Sequence, residues 1–238
     1  MSERGKIVAI YSAVALLAAG IITMSWWISR SIQEKKSQQQ QGLVIDSGAE
    51  SPESWFPIKG DLAAINQDGT PVQISELRGK VWVVAEFFAV CPLCARRNAA
   101  DLKTLYERFG DNPDFHIVCV SVDPEQDKVE KLKEYAEAFG AKSSNWWFLT
   151  GEHEVIHRYL TDELKFLAVQ ERSNPDEIAA EGRYRHDMGL IVVNRDMQVV
   201  VKRDLAWAGQ QSESLREDWE KGLRKIIQRE LDRPASKQ

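Results

Sequence analysis

The chain has 238 residues, with 31 Lys and Arg against 36 Asp and Glu and a formal net charge of −5. That balance lacks the basic footprint of a nucleic-acid-binding protein, and three cysteines are too few, and odd in number, for a disulfide framework. With an N-terminal segment set aside, the remainder suffices for one domain with its own hydrophobic core.

Residues 1–6 read as a short tail. Residues 7–28 carry no charge, and as a helix they would span about 33 Å, enough for a bilayer core. Trp26 and Trp27 suit the far interface. A cleaved signal peptide would have a shorter apolar core followed by small residues, whereas Ala18, Ala19 and Gly20 lie inside this run. An uncleaved single-span anchor is therefore expected. Arg4 and Lys6 precede the span and Arg30, Lys35 and Lys36 follow it, so the positive-inside rule settles no orientation. The short tail and long following domain place the domain outside the cytoplasm. Residues 29–54 are polar, with Gln38 to Gln41 in a row. They read as a flexible tether, and residues 233–238 as a second tail.

Residues 55–232 hold the expected domain. Segments 61–66 and 70–74 flank Gln67-Asp68-Gly69, a hairpin signal. An apolar strand follows at 81–88 and a helix at 95–109, with Leu102, Leu105 and Phe109 at helical spacing. Residues 115–122 read as a central strand apolar on both faces, with Cys119 a buried, inert thiol. Asp127 is expected to cap a helix at 128–139. A strand at 146–150, a helix at 152–160, a long loop at 164–183 near the site, a hairpin at 189–194 and 198–203, and a terminal helix at 212–231 complete the reading. This order predicts an α/β fold, a central mixed sheet flanked by helices, with a transmembrane helix before it.

The chemistry centres on Cys91-Pro92-Leu93-Cys94, between the long strand and its helix. Two thiols two residues apart can close a disulfide ring or pinch one soft metal ion. A helix N-terminus favours the thiolate that does either. With the dithiol at the first strand-to-helix turn, the order of elements is that of a thioredoxin-like fold.

Several stretches together resemble the Sco (SenC) proteins, membrane-tethered thioredoxin-like copper proteins that help assemble the copper centre of cytochrome c oxidase. They are Asp68-Gly69, Leu77-Arg78-Gly79-Lys80, the Cys-Pro pair, Ser121 to Asp127, Leu132 to Tyr135, Phe148 to Gly151, and the late His186. The resemblance implies that Cys91, Cys94 and His186 bind copper. Thiolates select Cu(I), and imidazole serves Cu(I) or Cu(II). It also implies an extracytoplasmic position, in a bacterial periplasm or a mitochondrial intermembrane space. The implied partner is the oxidase subunit that holds the copper centre, or another copper carrier. Family members usually separate the two cysteines by three residues; here there are two.

That spacing also suits a thiol–disulfide oxidoreductase, which needs no cofactor. Cys91 would attack and Cys94 resolve, acting on extracytoplasmic protein thiols. Glu86 would be a proton acceptor there, or otherwise face solvent or a partner. Against this reading, no proline lies between Pro175 and Pro234, whereas thioredoxins set a cis-proline opposite the dithiol. Phe88, where a Thr or Ser would stand, argues against a peroxidase of the peroxiredoxin type. His153-Glu154-Val155-Ile156-His157 matches the zinc-protease pattern, with Glu177 or Glu181 as the available third ligand. The resemblance makes this segment an ordinary surface helix. His116 reads as a strand-start residue. Arg96 and Arg97 would raise thiolate character or lie on the exposed face.

Overall fold

The computed structural model describes residues 20, 23, 24, 56–89 and 94–234, with side chains at all but 94–97, 180 and 181. The chain divides into two units between Leu43 and Val44. Of the first unit, Gly20, Thr23 and Met24 are helical. No helix among the described residues is long and apolar enough to cross a membrane. The expected anchor at 7–28 lies outside them apart from those three residues, as do 1–6, 29–54 and 235–238.

The second unit opens with β1 (Phe56–Pro57) and a hairpin of β2 (Ala63–Ile65) and β3 (Pro71–Gln73). A 3-10 turn (Ile74–Leu77) leads into β4 (Val81–Phe87), α1 (Cys94–Phe109), β5 (Phe115–Ser121), α2 (Val129–Phe139), β6 (Trp146–Leu149) and α3 (His153–Asp162). After these come β7 (Gln170–Glu171), α4 (Pro175–Glu181), β8 (Tyr184–Arg185), β9 (Leu190–Val193) and β10 (Gln198–Arg203). Helices α5 (Leu205–Gln211) and α6 (Glu213–Asp232) end the domain.

The main sheet runs β1-β10-β9-β4-β5-β6. Strands β4, β5 and β6 are parallel, and β9 and β10 are antiparallel to their neighbours. This is the thioredoxin-like order expected from the sequence. Strands β4 and β5 are buried along their whole length, as they must be with helices on both faces. Val81, Val83, Ala85 and Phe87 of β4 pack with Leu102 and Leu105 of α1, Leu132 of α2 and Leu223 of α6. Trp82 and Val84 face the other way, toward Ile156 and Leu160 of α3 and Leu62, Ile74 and Leu77 of the hairpin region. Each such fully buried large side chain contributes roughly 1.5–3 kcal/mol.

Two expectations are corrected, and one helix is new. The segment 164–183 is no plain loop: it contains β7 and α4. Asn174 caps α4 by accepting from the Asp176 amide, and Pro175 occupies its first turn. Asp127 does not cap α2. Lys128 takes that position without a side-chain cap, because the Asp127 carboxylate is engaged by Ser121 Oγ (2.6 Å) and the Ala89 amide (3.2 Å). Helix α5 was not foreseen; Asp204 starts it by accepting from the Trp207 amide.

The pairing fixes where the chemistry gathers. Because β4 and β5 are parallel and β9 is antiparallel to β4, the exits of β4 and β5 and the entry to β9 meet at one edge of the sheet. Ala85 stands opposite Leu190 in this ladder. Residues after position 86 therefore face residues before 190, a hundred positions later in the chain.

Candidate metal centre

Cys91 lies outside the described residues, and Cys94 is described only as the first residue of α1. Position 94 precedes Asn98 by one helical turn. Asn98 and Ala99 of α1 line a pocket of about 350 Å³ together with Glu86, Phe88, Cys119, Phe148 and His186. The fold thus brings His186 to the helix that carries Cys94.

The pocket is chiefly aromatic and aliphatic, and its polar atoms are few. Glu86 Oε1, Asn98 Nδ2 and His186 Nε2 are buried and have no hydrogen-bond partner among the described residues. Three orphaned polar atoms on one cavity are costly unless something there accepts or donates to them. The His186 side chain is only 2% exposed. Its Nδ1 lies 2.9 Å from the carbonyl oxygen of Asp187. A carbonyl only accepts, so Nδ1 donates, and in the neutral ring the lone pair sits on Nε2. A metal-binding imidazole has this pattern: the remote nitrogen is tied to an acceptor and the other is free to coordinate.

A polar frame holds the histidine in place. Glu86 Oε2 accepts from the Asp187 amide at 2.7 Å and lies 3.6 Å from His186 Nδ1. Burial pushes the Glu86 carboxyl up from its ordinary value, against the lowering effect of His186. The Asp187 carboxylate accepts from the amides of Gly189 (2.8 Å) and Leu167 (3.0 Å) and pairs with Lys202 on β10. At the same end of the sheet, Asp127 ties Ala89, at the exit of β4, to Ser121 at the end of β5. Burial raises its carboxyl to about 6.

Glu86 is the residue that the sequence reading misplaced. It is 1% exposed, not turned to solvent. A carboxylate within a strand buried on both faces was the available signal, since such a group is rarely buried without a partner. Asn98 gave no signal. Cys119 is buried as expected, and burial pushes its thiol up to about 12, so it stays protonated. His116 is buried too, at 1% exposure, with its ring 4.4 Å from that of Trp147.

No three His, Cys, Asp or Glu side chains among the described residues converge to hold a metal. That removes the zinc-protease arrangement on His153 and His157 as far as described ligands go. Glu177 is turned to Arg185, 3.8 Å away. The ligand set inferred from the resemblance includes Cys91, outside the described residues.

The family model described as SCO1/SenC matches residues 51–216. The chain belongs to the SCO1/SenC family. A SCO1 protein homolog of Bacillus subtilis is 37% identical over 87 residues, 36% of this chain and 45% of that protein. The match thus spans less than half of that relative's own length. A SCO1/SenC family lipoprotein from Bacillus anthracis superposes with a TM-score of 0.61 at 25% identity, over 77% of this chain and all of that one. BsSco, described as a member of the Sco family of cytochrome c oxidase assembly proteins with a disulfide switch, gives 0.53 at 26% identity over 64% of this chain and 86% of its own. Copper-bound ScoI of Bradyrhizobium japonicum shares the fold, with a TM-score of 0.51 at 20% identity over 61% of this chain and 88% of its own.

Proposed function

We propose that this family member carries copper on the outer side of a membrane and hands it to the copper centre of cytochrome c oxidase, or to another carrier. Cys91, Cys94 and Nε2 of His186 are the proposed ligands, with residues 7–28 as the anchor. The observation that carries this reading is the buried Nε2 of His186, which has no partner among the described residues while Nδ1 is held by the Asp187 carbonyl. Such a nitrogen is pre-set as a donor, and a soft Cu(I) ion suits two thiolates and one imidazole. Membership of a family that includes a cytochrome c oxidase assembly protein supports the destination. Copper here is cargo. Ligand exchange with a partner's thiols or imidazoles moves it without releasing it.

The test is Cu(I) titration of the full chain in detergent against a competing chelator. One equivalent is expected, with tight binding abolished in Cys91→Ser, Cys94→Ser and His186→Ala. Undiminished affinity in His186→Ala would reject the site. Weak copper binding together with catalysed disulfide reduction, lost in Cys91→Ser, would instead make the pair a thiol–disulfide oxidoreductase. Retention of the chain in membranes after alkaline washing, lost on deleting residues 1–28, tests the anchor.

A further inference from the structure

Apart from the proposed copper ligands, two of the four histidines form a cluster of their own. His153 and His157 sit one helical turn apart on α3, and their ring centroids are 3.9 Å apart at 41°. His157 Nε2 lies 2.8 Å from the carbonyl oxygen of Val122, just past β5. That carbonyl accepts, so Nε2 donates and the lone pair of the neutral ring is on Nδ1. Burial, with the neighbouring His153, lowers the His157 pKa, so it is neutral near pH 7. His153 Nδ1 is buried without a partner among the described residues.

The surroundings favour a cation. Asp123 is buried, its Oδ1 lacks a hydrogen-bond partner among the described residues, and it acts electrostatically on both imidazoles. Arg183, which also acts on Asp123, is paired with Glu171 (2.7 Å) and Glu125 (3.5 Å). Tyr184 walls the pair, 6.2 Å from each ring.

We propose that His153 and His157 form a second metal site, taking one divalent ion of the borderline class, Cu(II), Ni(II) or Zn(II), with water in the remaining positions. Two imidazoles at this spacing on one helix face chelate such ions. The hydrogen bond from His157 to Val122 is the outer contact that orients a ligating ring. The buried carboxylate of Asp123 offsets the added charge. With two protein ligands and water in the remaining positions, its proposed role is to bind the ion. It is independent of the cysteines and of His186.

The experiment uses the full chain carrying Cys91→Ser, Cys94→Ser and His186→Ala, so that failure of the copper-carrier reading leaves it intact. Cu(II) is the probe, since it binds nitrogen sites most tightly in the divalent series. One equivalent is expected, with imidazole nitrogen hyperfine structure in the EPR spectrum. His153→Gln or His157→Gln should weaken binding at least about tenfold, because the second imidazole no longer acts at high effective concentration. No saturable equivalent, or binding unchanged in either variant, overturns the site. If the triple variant does not fold by circular dichroism, the unmodified chain serves. Cu(II) added beyond one equivalent should then broaden the ring proton resonances of His153 and His157, and sharp lines at both overturn the proposal.

Discussion

The carboxyl of Glu86 lies 3.6 Å from Nδ1 of His186, and both side chains are almost wholly buried. Glu86 stands on the strand that leads to Cys91, while His186 precedes β9 by four residues. Their meeting joins the two halves of the proposed copper site. The same carboxyl accepts from the Asp187 amide, so it holds the histidine's own backbone.

Burial favours the neutral form of Glu86, and Gln is its nearest neutral replacement. Glu86→Gln should keep the bond to the Asp187 amide and change Cu(I) affinity by no more than a few-fold. Glu86→Leu leaves that amide unpaired, at a cost of about 1–3 kcal/mol, and should weaken copper binding at least about tenfold. Chelator competition and urea unfolding on the two variants make the comparison. Equal behaviour of Leu and wild type would remove Glu86 from the frame.

Lys202 neutralises Asp187 in the interior, both side chains being at most 6% exposed. Lys202→Met leaves the carboxylate buried and unpaired, and should destabilise the domain by about 3–5 kcal/mol. The double replacement with Asp187→Asn should recover part of that loss. A urea midpoint unchanged in the single variant would contradict the pairing.

Gly182 has φ +81°, and a Cβ there would overlap the ring of Phe88. Gly182→Ala should therefore cost roughly 1–3 kcal/mol, through strain in the left-handed region and overpacking. Phe88 lines the pocket, so the displaced ring should also alter copper binding. A thermal midpoint equal to wild type would show that the turn relaxes freely.

His116 carries the clearest pH dependence. Burial, aided by Lys80, lowers its pKa from 6.5 to about 3. The folded state then binds fewer protons than the unfolded state between these values. The associated stability is complete above pH 6.5 and is lost as the pH falls toward 3, up to roughly 5 kcal/mol. Asp127 acts in the opposite sense: its carboxyl is raised from 3.8 to about 6, so its contribution falls as the pH rises through that range. The difference between His116→Phe and wild type isolates the histidine. The variant should gain on wild type between pH 7 and pH 4 in urea unfolding; parallel curves would refute the assignment.

Local pattern sufficed for much of the domain. Apolar runs bounded by turns marked β4, β5 and β6, helical spacing marked α1 and α6, and the hairpin of β9 and β10 followed from the turn at Arg195-Asp196. Helix α4 was missed although Asn174 and Pro175 form an ordinary helix start. Asp127 shows the limit of such rules. By local preference it is a helix cap, yet its carboxylate is held by an amide 38 residues earlier, a contact that no window of sequence contains.

By itself the chain determined its donors: two thiols, a late imidazole and a histidine pair spaced for one helix face, because side-chain chemistry and short periodicities are local properties. Only the folded sheet decided what surrounds His186, which it sets against Glu86 and the helix that carries Asn98. A parallel strand on one side of β4 and an antiparallel one on the other draw distant segments to a single edge. There burial turned Glu86 from an expected surface group into the support of His186, since exclusion of water, unlike spacing, depends on what packs from elsewhere in the chain.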